Sequence, residues 1–118
     1  MKKTEELLGN PATGEVLISL ADGKTRVCCF DIDALAMLEE AFGEDLAAIV
    51  RRRYSVTNLT GFIFCGCWRA ARDSREAWTR GYVQGQLKLK GMFHLWQKVK
   101  WALDHALDCT VEKAEGES

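Results

Sequence analysis

The chain is 118 residues long, 47% hydrophobic and 28% charged, a size and balance that fit one globular domain with a modest core. These figures exclude a collagen-like repeat and a wholly disordered chain, and no run of 18 apolar residues is present to span a membrane as a helix. The formal net charge of −1 conceals a pattern: residues 1–50 sum to −6, residues 51–100 to +9 and residues 101–118 to −4.

Residues 1–13 are polar, hold the only proline and read as a flexible lead-in to a single α+β domain over 14–109. A β-hairpin is expected over 15–30. Val16, Ile18 and Leu20 alternate with Glu15, Leu17 and Ser19 at the strand period of two, Asp22-Gly23 supplies the turn, and Thr25 to Phe30 returns. Two strands alone are marginal, so the hairpin must lie on helices. The first helix is expected at about 32–42, capped by Asp31 or Asp33, with Ile32, Leu35, Leu38 and Phe42 on one face and Gly43 as its left-handed stop.

A second helix is expected at about 44–53, ending on Arg51-Arg52-Arg53, where cations favour a helix C-terminus. A third, at about 57–72, is capped by Ser55 or Thr57 and carries Leu59, Phe62, Ile63, Gly66, Cys67 and Ala70 on one side. Gly66 and Ala70 would let another helix approach closely. Asp73-Ser74-Arg75-Glu76 resembles a capping box and predicts a short helix at 74–80. The last helix, at about 91–108, keeps Met92, Leu95, Trp96, Val99, Leu103, Ala106 and Leu107 in helical register, and an acidic tail follows over 110–118. The fold expected is thus an N-terminal β-hairpin packed on a bundle of four to five α-helices.

No catalytic, cofactor-binding or metal-binding residues are expected. The five cysteines form an adjacent pair, a C-x-C and a single Cys109, which is no disulfide framework and no zinc spacing; buried thiols in a reducing cytoplasm account for them. His94 and His105 lie about 20 degrees apart around a helix but three turns apart along it, too far to share a metal or a proton. Phosphate-binding loops, dinucleotide fingerprints and nucleophile elbows are missing, so the chain does not read as an enzyme. The basic, polar start lacks the apolar run of a signal peptide.

The basic middle and its aromatics are the informative part. Arg51, Arg52, Arg53, Arg69 and Arg72 interleave with aromatic side chains, and Trp68, Phe93 and Trp101 fall off the inner faces of their helices. A chain this small cannot bury both faces of two helices, so these residues are the expected partner-binding surface. The same stripe could grip phosphates and stack bases, which makes a nucleic-acid-binding accessory protein using 51–101 the alternative. The opposite signs of the first and middle segments also suggest self-association.

Gly14–Leu20, Asp22-Gly23 and Phe30, followed by Leu35-Ala36-Met37-Leu38-Glu39-Glu40-Ala41-Phe42-Gly43 and Asp45-Leu46-Ala47-Ala48-Ile49, resemble the gene transfer agent-like phage tail assembly chaperones. The likeness is good over 14–50, fair to about 72 and weak beyond. It departs at Arg51-Arg52-Arg53 and over the basic, aromatic-rich 75–101, where the family has plainer alanine- and leucine-rich helices. Its motif positions here, Phe30, Leu35, Leu38, Glu39, Phe42 and Gly43, are mainly structural. The resemblance implies a small, non-catalytic phage or prophage protein of the bacterial host cytoplasm. It would bind the tape-measure protein, help recruit tail-tube protein, associate with itself and be absent from the mature virion. Neither nucleic acid nor membrane is an implied partner, and no cofactor is implied. A structural component of the tail is a further alternative, and many genes of the family also give a longer, frameshifted product.

Overall fold

The computed structural model describes residues 8–116, with side chains described through Leu107. The chain is an α+β domain in which an N-terminal hairpin packs against several helices. Expectations for residues 1–7 and 117–118, and for the side chain of Cys109, lie outside the described residues.

Strands β1 (Val16–Ser19) and β2 (Thr25–Cys28) pair antiparallel, with Val16 opposite Cys28 and Ile18 opposite Arg26. Because side chains alternate across a strand, this register puts both pairs on the inner face and leaves Leu17 opposite Val27 outside. Gly23, at φ 82°, takes the left-handed conformation that closes the turn. Residues 10–14 are not loose. They fold into a turn in which Asn10 bridges to Glu15 and its carbonyl accepts from Gly14 N–H at 2.7 Å. The last helix holds that turn, so the lead-in gains structure from contacts distant in sequence.

Helix α1 (Ile32–Phe42) starts where Asp31 accepts from Ala34 N–H at 2.8 Å and stops at Gly43, which is left-handed at φ 65°. Helix α2 is only Leu46–Ile49, capped by Asp45. The expected helix over 44–53 is cut short because Val50 onward turns into the loop that carries Arg51, Arg52 and Arg53.

Helix α3 (Val56–Gly66) is capped by Ser55 and is the central element, touching α1, β2 and every later helix. Phe62 lies fully buried, stacked on Trp96 at 5.4 Å between centroids and edge-on to Phe42 at 5.6 Å. What approaches Gly66 is not a helix. A Cβ there would lie 2.5 Å from Cys28 Sγ and 2.9 Å from Phe30 Cζ, and Cys29 N–H donates to the Gly66 carbonyl at 3.0 Å. The glycine lets β2 and its extension lie directly on α3.

The expected 57–72 helix is two helices, α3 and α4 (Trp68–Asp73), joined at Cys67, whose φ and ψ of −99° and 6° leave the α region. The expected helix at 74–80 does not form. Asp73-Ser74-Arg75-Glu76 instead ends α4 in a Schellman turn, with Glu76 N–H on the Ala71 carbonyl and Arg75 N–H on that of Arg72. Glu76 therefore reaches a buried arginine rather than a backbone N–H of its own segment. Arg75 occupies the left-handed position that glycine favours, at φ 56°. Arg75→Gly is expected to raise stability by about 0.5–1 kcal/mol, read from urea unfolding.

Helix α5 (Arg80–Gly85) starts at Thr79, which accepts from Tyr82 N–H. Helix α6 (Met92–Gly116) follows the left-handed Gly91 and continues past 110, where a tail was expected. It lies along β1 and α3, burying Trp96, Val99, Ala102 and Leu103 against the hairpin core of Val16, Ile18, Leu20 and Phe30. Lys98 Nζ donates to the Leu17 carbonyl at 3.0 Å. One helical turn further, Trp101 covers Gly9; His105 covers Gly14 and donates from Nε2 to the Pro11 carbonyl at 2.8 Å. No helix among the described residues is long and apolar enough to cross a membrane.

Candidate functional site

The residues expected to bind a partner separate into three places. Arg69 and Arg72 sit on α4; Arg69 reaches back to Asp31 at 2.6 Å and Asp33 at 3.7 Å, while Arg72 meets Asp73 at 3.5 Å. Trp68, beside them, is half-buried and edge-on to Phe64 at 5.7 Å. Arg69 thus ties α4 to the start of α1, whereas Arg72 pairs within α4. Trp101 is half-buried, stacked on His105 at 5.3 Å and clamped over Gly9, so it fixes the N-terminal turn.

The third group does gather into a surface. The loop between α2 and α3 passes the start of α6, anchored by Lys100 Nζ, which donates to the Val50 carbonyl at 2.7 Å. Arg52 turns inward. It pairs with Glu44 at 2.8 Å, donates to Asn58 and lies over the Phe42 ring at 4.1 Å. Its neighbours Arg51 and Arg53 point to solvent and pair with no carboxylate among the described residues. Tyr54 then meets Phe93 edge-on at 5.2 Å and Trp96 at 5.7 Å, leaving Tyr54 40% and Phe93 54% exposed.

The result is an aromatic pair on a buried tryptophan, beside a loop that carries two exposed arginines without carboxylate partners among the described residues. Such a group favours an apolar segment that carries acidic residues. The sequence singles out Arg51, Arg53 and Phe93 by residue type but not Tyr54, which the fold places against Phe93. Its only signal was position beside three arginines, because its contact with Phe93 spans 39 residues.

Most of the residues that carry the resemblance are packed into the fold. Phe30, Leu35 and Leu38 are buried, Phe42 packs on Phe62 and on Gly61, and Gly43 ends α1. Glu39 differs: its carbonyl accepts from Gly43 N–H while its side chain faces solvent.

A second polar cluster was not expected. Arg26, on the inner face of β2 and 4% exposed, bonds Asp22 through Nη2 at 2.7 Å and Glu76 through Nε at 3.1 Å, over the Trp78 ring at 4.9 Å. Tyr82 adds an O–H donated to Asp22 at 2.6 Å, and Lys24 N–H another at 3.0 Å. The hydrogen bonds from Arg26 hold the Asp22 carboxyl well below its ordinary range and lower that of Glu76, and those carboxylates raise Arg26 in turn. Each charge has its partner, so the cluster fastens hairpin to helices and offers no free acid or base.

The thiols are equally committed. Cys28, Cys65 and Cys67 are buried and free of disulfides. The contact of Cys28 with Cys67, and its burial, push its thiol well up, while burial moves Cys65 to about 12. No group of three His, Cys, Asp or Glu suited to a metal ion occurs among the described residues. Set against protein-family models, curated proteins and solved structures, the chain matches none.

Proposed function

We infer that this chain is a non-catalytic phage or prophage tail assembly chaperone, working in the bacterial cytoplasm and absent from the finished virion. It binds the tape-measure protein and assists recruitment of tail-tube subunits. Two things support the reading: the resemblance over 14–50, and a surface suited to an amphipathic client. The observation that carries it is the Tyr54–Phe93 pair, held in contact yet half exposed, with Tyr54 on the loop that also carries the exposed Arg51 and Arg53. A long helical client supplies apolar side chains for the rings and carboxylates for the arginines, the helix-in-groove mode of recognition.

Co-expression with the tape-measure protein encoded beside it tests the reading. The chain is expected to keep that protein soluble and to co-purify with it. Phe93→Ala with Tyr54→Ala is expected to weaken binding by about 2 kcal/mol or more, some thirtyfold in Kd, with the fold intact by circular dichroism. A tape-measure protein that stays insoluble, or binding untouched by the double substitution, contradicts it. The nucleic-acid alternative has less support, because Arg52, Arg69 and Arg72 are already paired with the chain's own carboxylates. A salt-dependent oligonucleotide shift would reinstate it.

A further inference from the structure

Once the internal ion pairs of Arg26, Arg52 and Arg69 are made, exposed charges of opposite sign stay unpaired among the described residues on α1 and on the loop between α2 and α3. The outward face of α1 carries Ile32, Ala36, Glu39 and Glu40, spaced at i, i+4, i+7 and i+8 over about 12 Å. Ile32 is 79% exposed, the second most exposed of the large apolar side chains described, and Glu39 and Glu40 pair with no cation among the described residues. On the other surface stand Tyr54 and Phe93 with Arg51 and Arg53, likewise without carboxylate partners among the described residues. Each surface holds what the other lacks: an aliphatic residue with two carboxylates, against two rings with two guanidinium groups.

Within one copy, Arg52 already joins these neighbourhoods, bonding Glu44 just after α1 and lying over Phe42 at its end. Glu39, Glu40, Arg51 and Arg53 take no part in that link. We propose that the protein self-associates by seating the Ile32–Glu40 face of α1 from one copy on the Tyr54–Phe93 surface of the next, with Glu39 and Glu40 against Arg51 and Arg53. The ring contacts supply apolar burial, and the charge pairs fix orientation and speed encounter. The contact occupies the surface read above as the client's, so a bound client would displace it; it is therefore tested on the chain alone, with no client present.

Sedimentation velocity of the full-length chain over a concentration series tests the proposal. At low salt the weight-average sedimentation coefficient rises with concentration, and roughly tenfold more salt suppresses the rise. Glu39→Lys with Glu40→Lys, and separately Arg51→Glu with Arg53→Glu, each weaken association on the order of tenfold or more. An equimolar mixture of the two variants restores it, because each reversed surface then faces its complement. Should a reversal perturb folding by circular dichroism, the neutral pair Glu39→Gln with Glu40→Gln is measured instead and must weaken association. A wild-type chain that stays monomeric, a variant that associates like wild type, or a mixture that stays monomeric overturns the proposal.

Discussion

Arg26→Met is expected to cost about 3–5 kcal/mol of stability in urea or guanidinium unfolding, a large part of the roughly 5–15 kcal/mol that holds a domain together. The loss does not come from a missing salt bridge on a wet surface. Arg26 is 4% exposed, and its removal leaves the Asp22 and Glu76 carboxylates close together in a partly closed site, with only the exposed Lys24, 4.0 Å from Glu76, as a neighbouring cation. Replacing all three with neutral residues, Arg26→Met with Asp22→Asn and Glu76→Gln, is expected to recover most of the loss, because no unpaired charge stays behind.

The pH dependence separates the same two proteins. In the wild type both carboxyls titrate lower when folded than their ordinary 3.8 and 4.5, chiefly because Arg26 donates to them. The folded state therefore holds fewer of these protons than the unfolded state. Their stabilisation is complete above about pH 5 and declines as pH falls through the unfolded values and below. In Arg26→Met the two carboxyls repel, so protonation of one relieves the folded state. Its stability is expected to rise as pH drops from neutral toward 5, the opposite slope. Unfolding free energies at four or five pH values would show it.

Gly66→Ala is the second large effect, expected at the upper end of about 1–3 kcal/mol destabilising. Helix propensity argues the other way, since alanine is favoured over glycine by roughly 1 kcal/mol within a helix. Sterics decide the sign. The added methyl would stand 2.5 Å from Cys28 Sγ and 2.9 Å from the Phe30 ring, and the Cys29 bond to the Gly66 carbonyl keeps the strand from retreating. Cys28→Ala in the same protein is expected to return part of the loss, a coupling that a double-mutant cycle measures. Gly81→Ala, on the exposed face of α5, is the contrast. Its Cβ would meet only Thr79 Oγ1 at 4.0 Å, so propensity alone acts and stability rises.

Why these residues escaped a reading of the sequence is physical. Val16, Ile18 and Leu20 were legible because strand alternation is local, and so were the Asp31 cap and the Gly43 stop, which depend on neighbours within four residues. The alternation that buries Cys28 and Phe30 also buries Arg26, but its carboxylate partner Glu76 is fifty residues away and was read as part of a capping box. Asp73-Ser74-Arg75-Glu76 has the composition of a helix start; α4, running into it, makes it a helix end. The candidate surface was half legible for the same reason. Arg51, Arg53 and Phe93 stood out by type, whereas the diversion of Arg52, Arg69 and Arg72 into internal pairs depends on which carboxylates the fold brings near.

The seating of α6 on the hairpin has a consequence for the order of synthesis. The inner row of β1, the turn over 10–14 and the rings of Trp101 and His105 meet across about ninety residues, so the first structure written into the chain is among the last to be secured. A nascent chain that has emerged only through α5 carries Val16 and Ile18 without their cover. Contacts this distant make closure slow relative to local helix formation and couple it to completion of the whole domain. Fragments ending before Trp101 are therefore expected to fail as units, rather than to fold as smaller versions of the protein.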